Sequence, residues 1–408
     1  MNIKLRLFPL LAVSTLFLCA VGCGKQDRTE GVAQNKPVAT GALTEKPLAA
    51  YQNELLDLAI ATASAIPVEP HIKDRARAQA TGVAASLKLD QPQRALRLIE
   101  KIDNWRRGAG YADLAFYCAM HGDTDEVRHY LDCAMQISKS AEDWCRDQIR
   151  IKIADTYALL GQASQSVTDA EAGVVAGVMA MAANEDHFEE QLNNLDALLA
   201  SGNFDIVKNA LKACAGLFNR FYDDVGRRLL TEEKIKVSWG ALPFFLRVEL
   251  LTEMAGYALD HKDQAKALDL MNEAQNFMAG AQWPPEHRIS LTSKLVALRF
   301  NAGDRQKAET DADAMLALFD AQRDKIVNID RAGALRPLAE AYQSMGNTAT
   351  ALAVYKRAVE EGVENPNSRP RAEDLSATCL SMALNRAEPD AKLWARIRKI
   401  NEGLGDPW

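Results

Sequence analysis

From about residue 48 onward, apolar positions recur at i, i+3 and i+4 and do not alternate. That is the period of amphipathic helices, each burying one face. The clearest unit is residues 330–362, DRAGALRPLAEAYQSMGNTATALAVYKRAVEEG. Leu338, Ala339 and Tyr342 stand on the packing face of a first helix. Gly346-Asn347 form a turn, and Ala351, Tyr355 and Ala358 stand on the packing face of a second helix. The small residues let two antiparallel helices approach closely, and a large one fills the gap above them. Glycine at the turn accepts the left-handed backbone that ends a helix.

The frame recurs along the chain. Tyr111, Leu114 and Ala115 precede a turn at Gly122-Asp123, followed by Val127, Leu131 and Ala134. Met254 and Ala255 precede a turn at Lys262-Asp263, followed by Ala267, Met271 and Ala274. Weaker units turn at Asp90, Gly161, Gly202 and Gly303. The small second-helix position reads Ala95, Val127, Ser166, Val207, Ala267, Ala308 and Ala351, never large and never charged. Residues 48–66 read as an opening helix that stops before Pro67. Residues 371–385 and 390–403 read as a closing hairpin, with Pro389 starting its second helix.

These units resemble the tetratricopeptide repeat, in a degenerate form close to HEAT-like arrays. Turn-to-turn steps of 32, 39, 41, 60, 41 and 43 residues mostly exceed that family's period. The resemblance covers about 360 residues. It implies an all-α fold, an α-solenoid: a right-handed superhelix of about eight antiparallel hairpins. The length alone, 408 residues, would suggest two to four globular domains. A repeat array replaces them with one elongated body whose concave surface binds proteins or peptides. The charge clamp by which such repeats hold a C-terminal carboxylate with Lys and Asn is replaced here by Arg336 and Glu340.

The step of 60 residues marks an apparent insertion at 219–245, NRFYDDVGRRLLTEEKIKVSWGALPFF. Insertions in repeat arrays map to loops on one face, often the binding face, and aromatic and arginine side chains anchor interfaces. Phe221, Tyr222, Arg227, Arg228, Trp239 and Phe244 are therefore the candidate partner-binding residues. The competing reading is that these rings fill a gap between two half-arrays.

The first 23 residues are different. Lys4 and Arg6 precede an apolar run from Leu7 to Val21, too short to span a bilayer and followed by small residues. The run ends Ala20-Val21-Gly22-Cys23, which resembles the bacterial lipobox, with Ala20 where leucine is commoner. The resemblance implies a signal peptide over 1–22 and acylation of Cys23. With Gly24 in place of aspartate, it also implies an address at the outer membrane of the cell envelope. Residues 23–47 then form a polar, flexible tether, and 48–408 the repeat domain.

Charge narrows the partners. The chain carries −7, or −9 without residues 1–22. No basic domain or stripe is present, which argues against nucleic acid. There is no G-x-G-x-x-G, G-x-x-x-x-G-K-[ST], H-E-x-x-H or G-x-S-x-G. No enzyme, cofactor or metal is therefore expected. His121 and His129 flank an acidic turn, but acids in a first helical turn follow from the helix dipole alone. Beyond Cys19 and Cys23 the cysteines are Cys118, Cys133, Cys145, Cys214 and Cys379. Cys133 and Cys145 lie at matched distances from a turn near Lys139-Ser140, and an exported compartment permits a disulfide between them. Cys118 and Cys214 fall at packing positions. The expected function is a lipid-anchored, non-enzymatic scaffold for a protein or peptide partner. The alternatives are a glycan- or small-ligand-binding lipoprotein using the aromatic insertion, and an enzyme whose site is assembled from distant repeats.

Overall fold

A computed structural model describes residues 43–159 and 204–408, together with residues 188, 192, 199 and 200. The expected signal peptide, Cys23, Gly161, Ser166 and Gly202 lie outside the described residues. Every regular element among the described residues is helical. Sixteen α-helices follow one another: α1 Ala50–Ala65, α2 Ile72–Lys88, α3 Pro92–Ile99, α4 Arg106–Met120, α5 Thr124–Ser140 and α6 Asp143–Leu159. They continue with α7 Phe204–Arg220, α8 Val225–Ser238, α9 Phe244–Asp260, α10 Gln264–Ala279 and α11 Pro285–Asn301. The last five are α12 Arg305–Gln322, α13 Asn328–Ser344, α14 Thr348–Val363, α15 Ser368–Leu384 and α16 Ala391–Glu402.

The hairpin turns share one local solution. Asp90, Gly122, Lys262, Gly303, Gly346 and Arg386 adopt positive φ, between 54° and 93°. The next amide reaches back to the carbonyl five residues earlier, as in Asp263 N to Ala258 O and Asn347 N to Tyr342 O, both 2.9 Å. This satisfies carbonyls that the helix end leaves without a partner. In three of these hairpins an Asp or Asn side chain then caps the second helix: Asp263 accepts from Lys266 N at 3.0 Å, Asn347 from Thr350 N at 3.3 Å and Asp390 from Leu393 N at 2.8 Å. Pro389 precedes that cap and does not itself begin α16.

The small frame positions pack as the spacing predicts. Ala95, Val127, Ala267, Ala308 and Ala351 are buried, as are Cys118 and Cys214. Val207 is buried too, but in a first helix. Helices α7 and α8 form a hairpin of their own, turning at residues 221–224. The stretch 219–245 is thus helical over most of its length and not a loop. It is the end of α7, all of α8 and the start of α9.

First helices run parallel: α2, α4 and α6 touch in succession, as do α7, α9, α11, α13, α15 and α2, and Ile151 of α6 packs on the cluster of α7–α10. Their ends meet at matching places: Trp105 contacts Trp144 at 5.2 Å, Phe245 contacts His287 at 6.2 Å, and His261 contacts Asn219 at 3.1 Å. Instead of leaving two free caps, the stack curves until its ends join. Helix α1 lies antiparallel on α15 and also packs on α2. Gln52 donates to Ala383 O and Ser376 to Ala59 O, each at 2.9 Å, and Arg77 pairs with Glu373 at 2.7 Å.

Three apolar clusters follow one another round this ring, and single helices link them. Ile149 and Ile153 of α6 belong to the cluster of α2–α5, while Ile151 packs on that of α7–α10. Leu291 and Leu295 of α11 join the latter, while Ile289 and Val296 face the C-terminal hairpins. Leu55, Leu56 and Ala59 of α1 and Ala85 of α2 close the third cluster with α13–α16. The last residues of the expected tether belong to the body. Leu43 is buried, Gln93 donates to its carbonyl at 2.6 Å, and Lys46 N donates to Asp90 O at 3.0 Å.

Candidate functional site on the inner wall

The faces of the first helices turned away from the second helices line the inside of the ring. They are polar, and their charges meet between neighbouring helices. Asp113 of α4 pairs with Lys152 of α6. Glu249 of α9 accepts from Lys294 of α11 at 3.1 Å. Arg336 of α13 donates to Asp374 of α15 at 2.9 Å, and Glu373 of α15 receives Arg77 of α2. Asp113, Glu253 and Lys294 each stand nine residues before a left-handed turn residue, at Gly122, Lys262 and Gly303. One register of the repeat thus sets one tier of the wall.

Two lysines on this wall have no ion pair or hydrogen bond among the described residues. Water reaches Lys88 of α2 and Lys212 of α7, yet the protein surrounding them holds both ammonium groups below their ordinary value. Burial is the largest cause, as expected where charge is partly desolvated. Glu340 opposes it at Lys88; Glu253 and Glu249 oppose it at Lys212, where Lys208 and Lys152 add to it.

The acids opposite are shifted the other way. Burial raises the Glu340 carboxyl, against the pull of Ser381, Arg336, Lys294 and Lys88. Its Oε1 accepts from Ser381 Oγ at 2.5 Å, and Ser381 Oγ lies 2.9 Å from the Tyr355 hydroxyl, which is fully buried. This chain fixes Glu340 against α15. Glu253 is likewise raised by burial, although Tyr257 donates to it at 2.7 Å. The wall therefore offers fixed carboxyls beside two ammonium groups that have no hydrogen bond or ion pair among the described residues. Such a surface can exchange ion pairs with a charged polypeptide without first breaking its own.

The candidate anchors of 219–245 mostly lie elsewhere. Phe221, Tyr222 and Trp239 are core residues, 6%, 2% and 7% exposed. Arg227 stacks over Phe221 and Phe188, at 5.0 and 5.3 Å. Arg228 stacks over Tyr222 at 4.5 Å and donates to its carbonyl. These two arginines cover rings that the core already holds. Phe244 alone stands half exposed, with Arg247 above it. The Phe221, Tyr222 and Trp239 rings fill the α7–α10 core. Of the wall residues, the sequence reading had named only Arg336 and Glu340, as replacements of a clamp. The signal for others was available: a charge nine residues before each Gly-Asp or Lys-Asp turn.

The expected Cys133–Cys145 disulfide is absent, and both thiols are free. Helix α5 runs through Ser140, so the turn falls at residues 141–142. Cys133 then lies about 10 Å along α5 from the turn and Cys145 about 3 Å along α6. A disulfide needs Cα atoms within about 7 Å and suitably aimed Cβ vectors. Burial pushes the Cys118 and Cys145 thiols up to about 12, so neither is a thiolate at neutral pH. His121 stacks on Tyr117 at 4.0 Å and His129 faces Cys133 at 3.7 Å. Among the described residues, no three His, Cys, Asp or Glu side chains gather as metal ligands, and no helix is long and apolar enough to cross a membrane. No protein-family model matches the chain, and no curated protein is found similar to it.

Proposed function

We propose that the chain is a lipid-anchored, non-enzymatic scaffold of the cell envelope, a degenerate tetratricopeptide-like lipoprotein that holds a protein or peptide partner. The partner lies against the inner wall. One observation carries this reading: the wall presents Lys88 and Lys212 without partners, beside carboxyls fixed in place at Glu340 and Glu253. The Ala20-Val21-Gly22-Cys23 segment supports the anchor, and the outer membrane is the destination that Gly24 favours.

The test is photo-crosslinking in cells of the source type, with the full chain. A photoreactive residue at Ala84, one helical turn before Lys88, should capture a polypeptide. One at Glu309, on the exposed outer side of α12, should not. The double variant Lys88→Glu, Lys212→Glu should lower the Ala84 adduct about tenfold, the equivalent of about 1.4 kcal/mol. Cys23→Ser in the same cells should abolish palmitate labelling and membrane recovery of the adduct. Equal capture from both positions would remove the inner wall from consideration.

A further inference from the structure

The tryptophans are gathered at one end of the ring. The chain has six. Trp105 and Trp144 stand at the starts of α4 and α6, Trp283 just before α11, and Trp239 between α8 and α9. Trp408 follows Pro407, whose carbonyl accepts from the amide of Ser368 at the start of α15. All five are at the rim where the parallel first helices begin: Trp144 is exposed, Trp105, Trp283 and Trp408 are half-buried, and Trp239 belongs to the core beneath. Only Trp394, near the start of α16, is at the rim of the hairpin turns. A second observation agrees. Ten large apolar side chains are more than a third exposed among the described residues. Six are on this same rim: Val68, Trp144, Phe204, Phe244, Val327 and Ile329, between 37% and 59% exposed. The other four run along α8.

The geometry points to this rim as a surface that docks on a lipid bilayer. Starts of parallel helices define one plane, so the side chains can enter a flat interface together. Tryptophan is the residue most suited to the bilayer–water boundary, with an apolar body and one polar N–H. Guanidinium groups lie where headgroup phosphates would be: Arg106 is 4.7 Å from the Trp105 ring and Arg247 4.8 Å from that of Phe244. The distribution favours a bilayer over a protein. Protein interfaces concentrate their anchoring residues near the centre of the contact. Here the centre is the mouth of the ring, and the apolar residues are spread round its edge.

The tether allows this orientation. The chain enters the body at the opposite rim, beside Asp90. The two rims are one helix length apart, about 25 Å for 17 residues. The 20 residues from Cys23 to Leu43 reach about 25 Å on average and about 70 Å when extended. An anchor at Cys23 can therefore lie in the same bilayer that the rim touches. The hairpin-turn rim then opens the inner wall to the aqueous side. The inference takes only the tether from the proposed function; it does not depend on any partner.

The experiment adds the full chain to vesicles of phosphatidylethanolamine and phosphatidylglycerol, with and without lipids brominated near the headgroup end of the acyl chain. Flotation reads binding and tryptophan quenching reads contact. The wild-type chain should float with part of its emission quenched, that of Trp144 most strongly, while the emission of buried Trp239 and of Trp394 persists. Trp394→Phe should leave the quenched amount unchanged and so raise the quenched fraction. The triple variant Trp144→Ser, Phe244→Ser, Ile329→Ser should lose quenching of the remaining rim tryptophans several-fold, with an unchanged thermal transition. A second variant at other points of the rim, Val68→Ser with Val327→Ser, should act in the same direction. Three results would overturn the docking surface: a chain that does not float, a floating chain whose emission is unquenched, or rim variants that alter only particle size in detergent. The Ala84 adduct is read separately, so failure of one proposal leaves the other standing.

Discussion

The joint between the two ends of the chain and the joints between consecutive hairpins are built from the same helices but not from the same chemistry. Consecutive hairpins meet chiefly through aliphatic side chains such as Ile289, Leu291, Leu295 and Val296 of α11, with the buried Arg299 bonded across to Asn272 and Gln275 of α10. The closing joint of α1, α2 and α15 has Leu55, Leu56 and Ala59 at its core as well, but it also buries Gln52, Thr62, Gln79, Ser376 and Ser381. Thr62 donates to Asn401 at 2.7 Å, and Arg369 reaches Asp74 at 3.4 Å. The difference has a physical reason. Neighbouring hairpins are held in register by a short connection. The ends are joined by no short connection, and two apolar helix faces can slide by a turn at little cost. A buried polar group left unpaired by such a slip costs about 1–3 kcal/mol. Several together select one register.

Removing α1 should break the comparison most severely. A chain lacking residues 50–66 loses the burial of Leu55, Leu56 and Ile66, each worth about 1.5–3 kcal/mol. The loss is about 5 kcal/mol or more, concentrated in the C-terminal hairpins. Cys379 on α15, fully buried in the intact ring, should then react with a thiol reagent. If Cys379 stays protected, the ends do not depend on one another and the closure has no energetic meaning.

Ala351→Arg probes the packing inside a single hairpin, away from the closing joint. The residue is fully buried where α14 meets α13. Overpacking costs about 1–3 kcal/mol, and an unpaired charge there adds to it. The thermal transition should fall by several degrees. The damage should spread through α13 and α14 by hydrogen exchange and leave α4–α6 unchanged, because a repeat array transmits stability chiefly to neighbours. Uniform loss round the ring would mean that closure makes the array one cooperative unit.

The smallest expected effect sharpens the polar side of the closing joint. Glu340 is bound to Ser381 of α15 and faces Lys88 of α2. Its folded-state carboxyl is raised above its unfolded value of about 4.5, because burial disfavours the charge. A raised carboxyl binds its proton more tightly when folded, so it destabilises as pH rises above about 4.5 and costs nothing well below it. Glu340→Gln should therefore raise the melting temperature slightly at neutral pH, with the gain vanishing in acid. A gain independent of pH would assign it to repacking.

How far the chain could be read from its residues varied with the turn. Gly122, Lys262, Gly303 and Gly346 were legible as turns because each precedes an Asp or Asn at the position where the next helix starts. The turn between α7 and α8 was not, since residues 221–224 include no left-handed residue and no glycine. With that turn missed, the period appeared to jump by 60 residues. Phe221, Tyr222 and Trp239, ordinary core residues of a hairpin, then read as an aromatic insertion. The Cys133–Cys145 pairing failed for a smaller reason: a turn placed two residues early alters the relative height of two side chains by several ångströms.

The sequence by itself determined the helices, most of their turns and the small residues at their crossings. These depend on interactions within one or two hairpins, where spacing along the chain is a good measure of distance. Tertiary structure alone decided that α1 packs on α15 and that Lys88 and Glu340 face the same space. It also decided that five tryptophans share one rim. These relations join residues tens to hundreds of positions apart. They depend on the small rotation between successive hairpins, summed round the ring, and no single repeat encodes that sum.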